Sequence, residues 1–417
     1  MPEKIVLAYS GGLDTSVAIR WLIEDRGYDV VALTVDVGAQ PDFKVVEERG
    51  LKAGALKVVT RDVKDIFLQY FAFPALMAGA VYEEQYPLAT ALSRPLIAKL
   101  LVDVAREEGA TAVAHGCTGK GNDQVRFDVS ITALAPDLTI VAPARETSWT
   151  RDEAIEIAEK SGIPIEAKKA SPYSTDENLW GRSIEAGILE DPWETPPDDV
   201  YQWTRSIRRA PDTPAVVEIE FDHGVPVAID GERLDPVSLV TRLNDLAGTH
   251  GIGRVDMVEN RLVGIKSREI YEAPAAVTLL KAHQALEQLT LSKMQVRFKQ
   301  RVAQEYADLI YNGQWFSAHH QDLAAYVHST QRFVTGTIRV ELYKGNCTVQ
   351  GKKSPRSLYV EQLATYSTGD LYDQSAAIGF IKIHGLPVQV QAEQQLLPDR
   401  QEPLKIAMPD SQASDGS

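Results

Sequence analysis

Two short segments of the chain concentrate the residue types that handle charged ligands. The first, Ser10-Gly11-Gly12-Leu13-Asp14-Thr15-Ser16, follows an apolar run and opens a stretch with helical spacing. An anion placed there would meet several free backbone amides and the positive end of a helix dipole together. Gly11 and Gly12 let the backbone approach closely and take positive φ. The hydroxyls of Ser10, Thr15 and Ser16 add uncharged donors. The same residues also suit a tight turn capped by Ser, Asp or Thr. The loop is neither a GxxxxGK[ST] phosphate loop nor a GxGxxG dinucleotide fingerprint.

The second segment runs from His115 to Phe127, HGCTGKGNDQVRF. Gly116, Gly119 and Gly121 leave its backbone open, and Thr118, Asn122, Asp123 and Arg126 offer donors and acceptors of both signs. An amino-acid ligand needs that mixture. A carboxylate accepts from its ammonium and an arginine clamps its carboxylate, each charge-assisted bond contributing roughly 1.5 to 3 kcal/mol. The segment also reads as a helix start capped by Asn122 or Asp123, with Arg126 solvated. His115 could meet a phosphate, relay a proton or be structural, and Lys120 and Lys266 could neutralise phosphate or remain solvated.

Both segments must be positioned by neighbouring elements. Short β-branched runs at 5–8, 30–35, 56–59, 111–114, 139–141 and 163–165 predict strands, and the helical patterns at 15–25, 95–108 and 151–160 end near glycines. Alternating strands and helices predict an α/β, doubly wound parallel sheet over residues 1–169, with both loops at the carboxyl edges of strands, where ligands bind in such folds. After residue 169 the turn-rich stretches SPYSTDENLWGRS and EDPWETPPDD break the alternation. Strands at 216–221, 225–229, 261–265, 334–342 and 347–350 and one long amphipathic helix at 276–298 predict an α+β domain over 170–368. A C-terminal segment, 369–417, ends in PDSQASDGS, a composition that predicts terminal disorder.

The 417 residues exceed what one core supports, so more than one domain is expected. Hydrophobic residues at 44% and charged residues at 24% are those of a globular protein. A net charge of −15 would repel a polyanion, so nucleic acid is not an expected partner, and an anionic ligand needs a local site of amides and a few cations. Cys117 and Cys347 are too few for a disulfide framework and form no CxxC. The start MPEKIVLAYSGG lacks the features of a secretory signal, and the longest apolar stretch, 71–82, is too short to suggest a membrane span. The expectation is a cytoplasmic protein with no membrane partner.

The loop SGGLDTS resembles the SGGxD[ST] loop of the ATP pyrophosphatase superfamily, whose members adenylate a substrate oxygen and release pyrophosphate. AYSGGLDTS, YPLATALSRPLIAK, GCTGKGNDQVRF, YSTDENLWGRSIEAGILEDP and VENRLVGIKSREIYEAPAA together resemble the argininosuccinate synthase family, with a further similar block at AAIGFIKIHGLP. The resemblance implies condensation of L-citrulline with L-aspartate, driven by ATP cleavage to AMP and pyrophosphate through a citrulline adenylate. It implies that Ala8, Tyr9, Ser10, Gly11, Gly12, Leu13, Asp14, Thr15, Ser16 and Gly116 contact ATP. Thr118, Asn122 and Asp123 would hold aspartate, and Tyr86, Asn122, Arg126, Ser174, Ser183, Glu259 and Tyr271 citrulline. Some family members carry a hydroxyl where Ala91 stands. Magnesium (Mg2+) is expected with the nucleotide, Asp14 being one candidate ligand, and the family's C-terminal segment implies a homotetramer. No general base is assignable.

Each residue also has an ordinary reading. Tyr86 and Tyr271 suit half-buried packing, Ser174 and Ser183 turns or caps, and Glu259 a surface charge. Rival activities within the superfamily are tRNA thiolation and glutamine-fed amide synthesis. Thiolation needs reactive sulfur, and the two cysteines lie far apart in an acidic chain. A nucleotide sensor without turnover would leave the GNDQVR residues without a role.

Overall fold

Three consecutive residues of β1 (Lys4–Ala8), Ile5, Val6 and Leu7, have no exposed surface. Burial on both faces marks a central strand of a parallel sheet covered by helices. In the computed structural model, which describes residues 2–39, 42–147, 149, 151–164, 172–367 and 369–397, β1 holds that place. With β2 (Asp29–Asp36), β3 (Lys57–Asp62), β4 (Ala112–Ala114) and β5 (Thr139–Val141) it forms a parallel sheet in the order β3-β2-β1-β4-β5. Side chains alternate between the faces. Ile5 and Leu7 pack with Val17, Ile19 and Leu22 of the helix Leu13–Glu24, whereas Val6 packs with Leu101, Val104 and Ala105 of the helix Ala89–Glu108. From β1 the sheet grows one way through β2 and β3 and the other way through β4 and β5. The turns leaving β1 and β4 therefore flank the crevice at the reversal of strand order.

The chain then runs through β6 (Ser174–Asn178), β7 (Gly181–Glu185), β8 (Ala215–Asp222), β9 (Val225–Ile229), β10 (Glu232–Arg233), β11 (Arg254–Asn260), β12 (Lys266–Glu272), β13 (Gly336–Tyr343) and β14 (Asn346–Lys353). They form two antiparallel sheets, β10-β9-β8-β13-β14 and β11-β12-β7-β6. In the second, Asp176 lies opposite Ser183, Ser183 opposite Tyr271, and Ser174 opposite Glu185. Opposed residues share a face, so this register gathers a polar row from three strands. The intervening Ile184 and Ile270 point the other way, into a core with Leu189 and Val200.

The expected strand at 261–265 is instead the turn of the β11/β12 hairpin, closed by the Arg261 amide donating to the Ile265 carbonyl at 2.8 Å. Val263 and Ile265, whose side chains suggested a strand, are exposed there. The expected long helix at 276–298 is two helices, Pro274–Thr290 and Lys293–Tyr311. Extended backbone at Leu291 ends the first, and a capping box between Ser292 and Gln295 starts the second. Ile163 is not in a strand. Residue 165, the expected boundary near 170 and the polar tail lie outside the described residues. The chain divides into two units, Met1–Leu358 and Tyr359–Ser417, the second containing the helix Gln374–Gln391, capped by Asp373. Among the described residues no helix is long and apolar enough to cross a membrane.

Glu272, at the end of β12, has no exposed surface. Its carboxylate accepts from the Gln202, Trp203 and Thr204 amides, the Thr204 hydroxyl and Arg182, all between 2.7 and 3.0 Å. Arg254 adds to this clamp by lying 3.7 Å over the Tyr201 ring and donating to Thr204. Removing one partner of a buried ionic network leaves the others unpaired, at a cost of about 3 to 5 kcal/mol. Glu272→Ala is therefore expected to lower the urea midpoint, read by tryptophan fluorescence. A midpoint equal to that of the parent chain would contradict this account.

Candidate active site

The first loop starts as a continuation of β1, the Tyr9 amide donating to the Leu33 carbonyl at 2.8 Å. Gly11 then turns with φ +77°, and a β-carbon there would lie 2.8 Å from Val46, so conformation and space both demand glycine. Gly12 is the N-cap of the helix Leu13–Glu24 and brings no side chain to cap it. The first-turn amides are thus left to a ligand or to solvent. Ser16 instead anchors the turn, its hydroxyl donating to the Gly12 carbonyl at 2.7 Å and lying 3.0 Å from the Tyr9 hydroxyl. Ser10 and Thr15 bond to each other at 3.1 Å.

The second loop leaves β4 beside it. A β-carbon on Gly116 would lie 2.9 Å from the Thr15 methyl, so glycine permits the contact between the two loops. His115 is fully buried, one ring nitrogen 2.7 Å from Asp128 and the other accepting from the Cys117 amide. These partners set its ring orientation, supporting the structural reading of His115. Burial, with the charge of Asp123, pushes the Cys117 thiol far above its usual range, so it is neutral at pH 7.

A cleft of about 600 Å³ lies over both loops. Of the expected residues, Ala8, Tyr9, Ser10, Gly12, Leu13, Asp14, Thr15, Tyr86, Gly116, Thr118, Asn122, Asp123, Arg126, Ser174, Ser183, Glu259 and Tyr271 line it. Gly11 and Ser16 are not in its wall; they shape the loop from behind.

Several lining residues already have protein partners. Tyr86 is stacked on Tyr271, with ring centroids 4.0 Å apart, and its hydroxyl accepts from the Thr90 amide at the start of the helix Ala89–Glu108. Glu259, only 2% exposed, accepts from the hydroxyls of Tyr271 at 2.7 Å and Tyr311 at 2.6 Å, so it is no surface charge. Asn122 donates to the Tyr311 hydroxyl at 2.8 Å and accepts from the Leu262 amide at 2.9 Å. Arg126, also buried, donates to the Tyr311 carbonyl and to Asp123. Asp123 accepts in addition from Arg94, which also pairs with Asp176.

Sequence reasoning assigned no part to Arg94, Asp176, Glu185, Arg261, Glu269 or Tyr311. Five of them sit inside the sequence blocks quoted above, where their types alone could have raised them. Tyr311 ends a helix far downstream, and no local signal marks it.

A loop of uncapped helix amides at a strand-order reversal, facing a wall of paired arginines and carboxylates, defines an α/β protein with a cleft for an anionic ligand beside a polar one. Residues 4–164 match the family model of the arginosuccinate synthase N-terminal HUP domain, and 173–391 that of the arginosuccinate synthase C-terminal domain. An argininosuccinate synthase from Dehalococcoides mccartyi is 58% identical over 395 residues, 95% of this chain and 97% of that protein. Those of Geobacillus kaustophilus and Listeria monocytogenes are 57% and 56% identical, over 93% and 94% of this chain and 96% of each relative. A solved structure described as a predicted subunit of a tRNA methyltransferase from Methanocaldococcus jannaschii overlaps 37% of this chain and 75% of its own. At 16% identity and a TM-score of 0.26, it carries no argument. The chain belongs to the argininosuccinate synthase family.

Burial pushes the Asp123 carboxyl up, but the charges and hydrogen bonds of Arg94 and Arg126 outweigh it and hold the group at about 2, against 3.8 unperturbed. A depressed folded-state pKa contributes stability that is full above the unfolded pKa and lost as pH falls from about 4 to about 2. Asp123→Asn should therefore be less stable than the parent at pH 6 and lose less stability between pH 4 and 2. Urea midpoints at the three pH values test this; equal acid losses in both proteins would refute it.

Proposed function

We propose that the cleft condenses L-citrulline with L-aspartate at the expense of ATP, yielding argininosuccinate, AMP and pyrophosphate. The observation that carries this reading is the uncapped helix start behind Gly12, adjoining the charged wall of Asp123, Arg126 and Glu259. The citrulline ureido oxygen attacks the α-phosphorus, and pyrophosphate leaves with the electrons of the broken P–O bond. The aspartate amine then attacks the ureido carbon, loses a proton, and displaces AMP. The amides of the loop from Ala8 to Ser16, with Gly116, stabilise the charge growing on the phosphates. Thr118, Asn122 and Asp123 receive aspartate. Tyr86, Asn122, Arg126, Ser174, Ser183, Glu259 and Tyr271 enclose citrulline, Arg126 toward its carboxylate and Glu259 toward its ammonium. Their existing partners hold them ready, so the main contribution is positioning.

Magnesium enters with the nucleotide, where it would offset phosphate charge. Asp14 is one exposed carboxylate on the cleft wall, and among the described residues no group of three or more His, Cys, Asp or Glu could hold an ion. That donor set suits an ion that keeps waters and phosphate oxygens as most of its ligands. The neutral Cys117 thiol and the buried Cys347, both unpaired, weigh against thiolation and fit a cytoplasmic setting. A homotetramer is supported by the helix Gln374–Gln391, which carries Ile378, Phe380, Ile381 and Ile383 that its own unit does not bury.

With citrulline carrying 18O in the ureido group, the label should appear in AMP, and AMP should accumulate only when both amino acids are supplied. ADP and phosphate as products would sink the reading. Arg126→Lys keeps the charge but loses the planar fork. It should raise the KM for citrulline by about tenfold or more, the order of one charge-assisted hydrogen bond. An unchanged citrulline KM would remove Arg126 from that role.

A further inference from the structure

Arg261, in the turn between β11 and β12, touches three separate parts of the cleft. Its guanidinium donates to the Lys120 carbonyl at 3.3 Å, to Glu269 of β12 at 2.5 Å, and to Glu185 of β7. The next residue reinforces the first contact, the Leu262 amide donating to Asn122. The hairpin turn therefore grips the second loop at both 120 and 122, immediately before Asp123. Arg261, Glu185 and Glu269 all line the cleft, yet the family resemblance gave none of them a role. Among the described residues, none of these partners of Arg261 belongs to the first loop.

We infer that Arg261 is a positioning residue that couples the order of the second loop to the carboxylate pair Glu185 and Glu269, and so governs the use of aspartate. The inference rests on the proposed aspartate site at Thr118, Asn122 and Asp123. Two carboxylates share one guanidinium, the side chains of Glu269 and Arg261 being 7% and 13% exposed and that of Glu185 41%. Glu185 of β7 and Glu259 of β11 face Glu269 with negative charge, Arg261 faces it with positive charge, and Tyr271 and Ser267 adjoin it on its own strand. Burial and the charge of Glu185 outweigh Arg261 and push the Glu269 carboxyl up to about 8. Arg261 supplies the positive charge among these groups, so its loss raises the affinity of Glu269 for a proton and releases the Lys120 carbonyl at the same time.

The test uses the full-length enzyme, with initial rates measured against each substrate from pH 6 to 9.5. Arg261→Gln should raise the KM for aspartate by about tenfold, leave that for ATP within about twofold, and move the inflection of kcat/KM for aspartate to higher pH. Arg261→Lys should restore part of the pH profile, because it returns the charge without the three-way reach. Glu269→Gln should abolish the inflection near pH 8, an independent check should Arg261→Gln fail to fold. An unchanged aspartate KM in Arg261→Gln, an equal rise in all three KM values, or an unmoved inflection in Glu269→Gln would overturn the inference. A parent enzyme that forms AMP without aspartate would instead overturn the proposed function, so the two failures are distinguishable.

Discussion

At the centre of the parallel sheet β1 and β4 run side by side, and the turns leaving them meet where Gly116 packs on the Thr15 methyl with no room for a β-carbon. The rest of the cleft depends on that contact. Because the chain adds β2 and β3 on one side of β1 and β4 and β5 on the other, the strand order reverses there. The reversal places a loop of backbone amides against a loop of charged side chains. It also explains how a chain with net charge −15 can offer an anion site: the attraction comes from amides and a few local cations rather than from the surface as a whole.

The charged side of the cleft obeys a second constraint, since buried ions require partners. Arg126 and Arg94 compensate Asp123, and Glu259 is satisfied by two tyrosine hydroxyls. The β11/β12 hairpin closes the network by returning to the second loop through Leu262 and Arg261. The antiparallel sheet supplies this wall through its pleat. Alternate residues face the cleft while Ile184 and Ile270 fill the core behind, so a slip of one residue would exchange the two sets.

What could be read from the sequence follows from how local each signal is. The runs in β1, β2 and β4 and both glycine-rich loops were legible because buried parallel strands are continuous apolar runs and because the loop residues are adjacent. The strand expected at 261–265 is a turn because Val263 and Ile265, despite their strand propensity, lie within the bonds from the Arg261 amide to Ile265 and from the Gly264 amide to Arg261. The helix break at Ser292 was legible in principle from the Ser-x-x-Gln capping box, against a helical periodicity that runs through it. Tyr311 could not be recognised locally. Its role arises from contacts with residues far away in sequence, which no short motif contains.

The Tyr86 segment shows why binding and stability are hard to separate in this cleft. Glu83, Glu84 and Leu88 all have positive φ without being glycine, a conformation that costs energy and persists only when the surroundings fix it. The fixing contacts are visible: Glu83 accepts from the Asn260 amide, Tyr82 stacks on Tyr311, and the Tyr86 hydroxyl accepts from the start of the helix Ala89–Glu108. Thus the ring proposed to border citrulline is also the cap of a core helix and half of a stacked pair with Tyr271. The same double use holds for Asn122 and Asp123. A side chain held by such partners loses little freedom when a ligand arrives, so the backbone strain that weakens the fold locally and the paired charges that offset it together leave the cleft organised in advance.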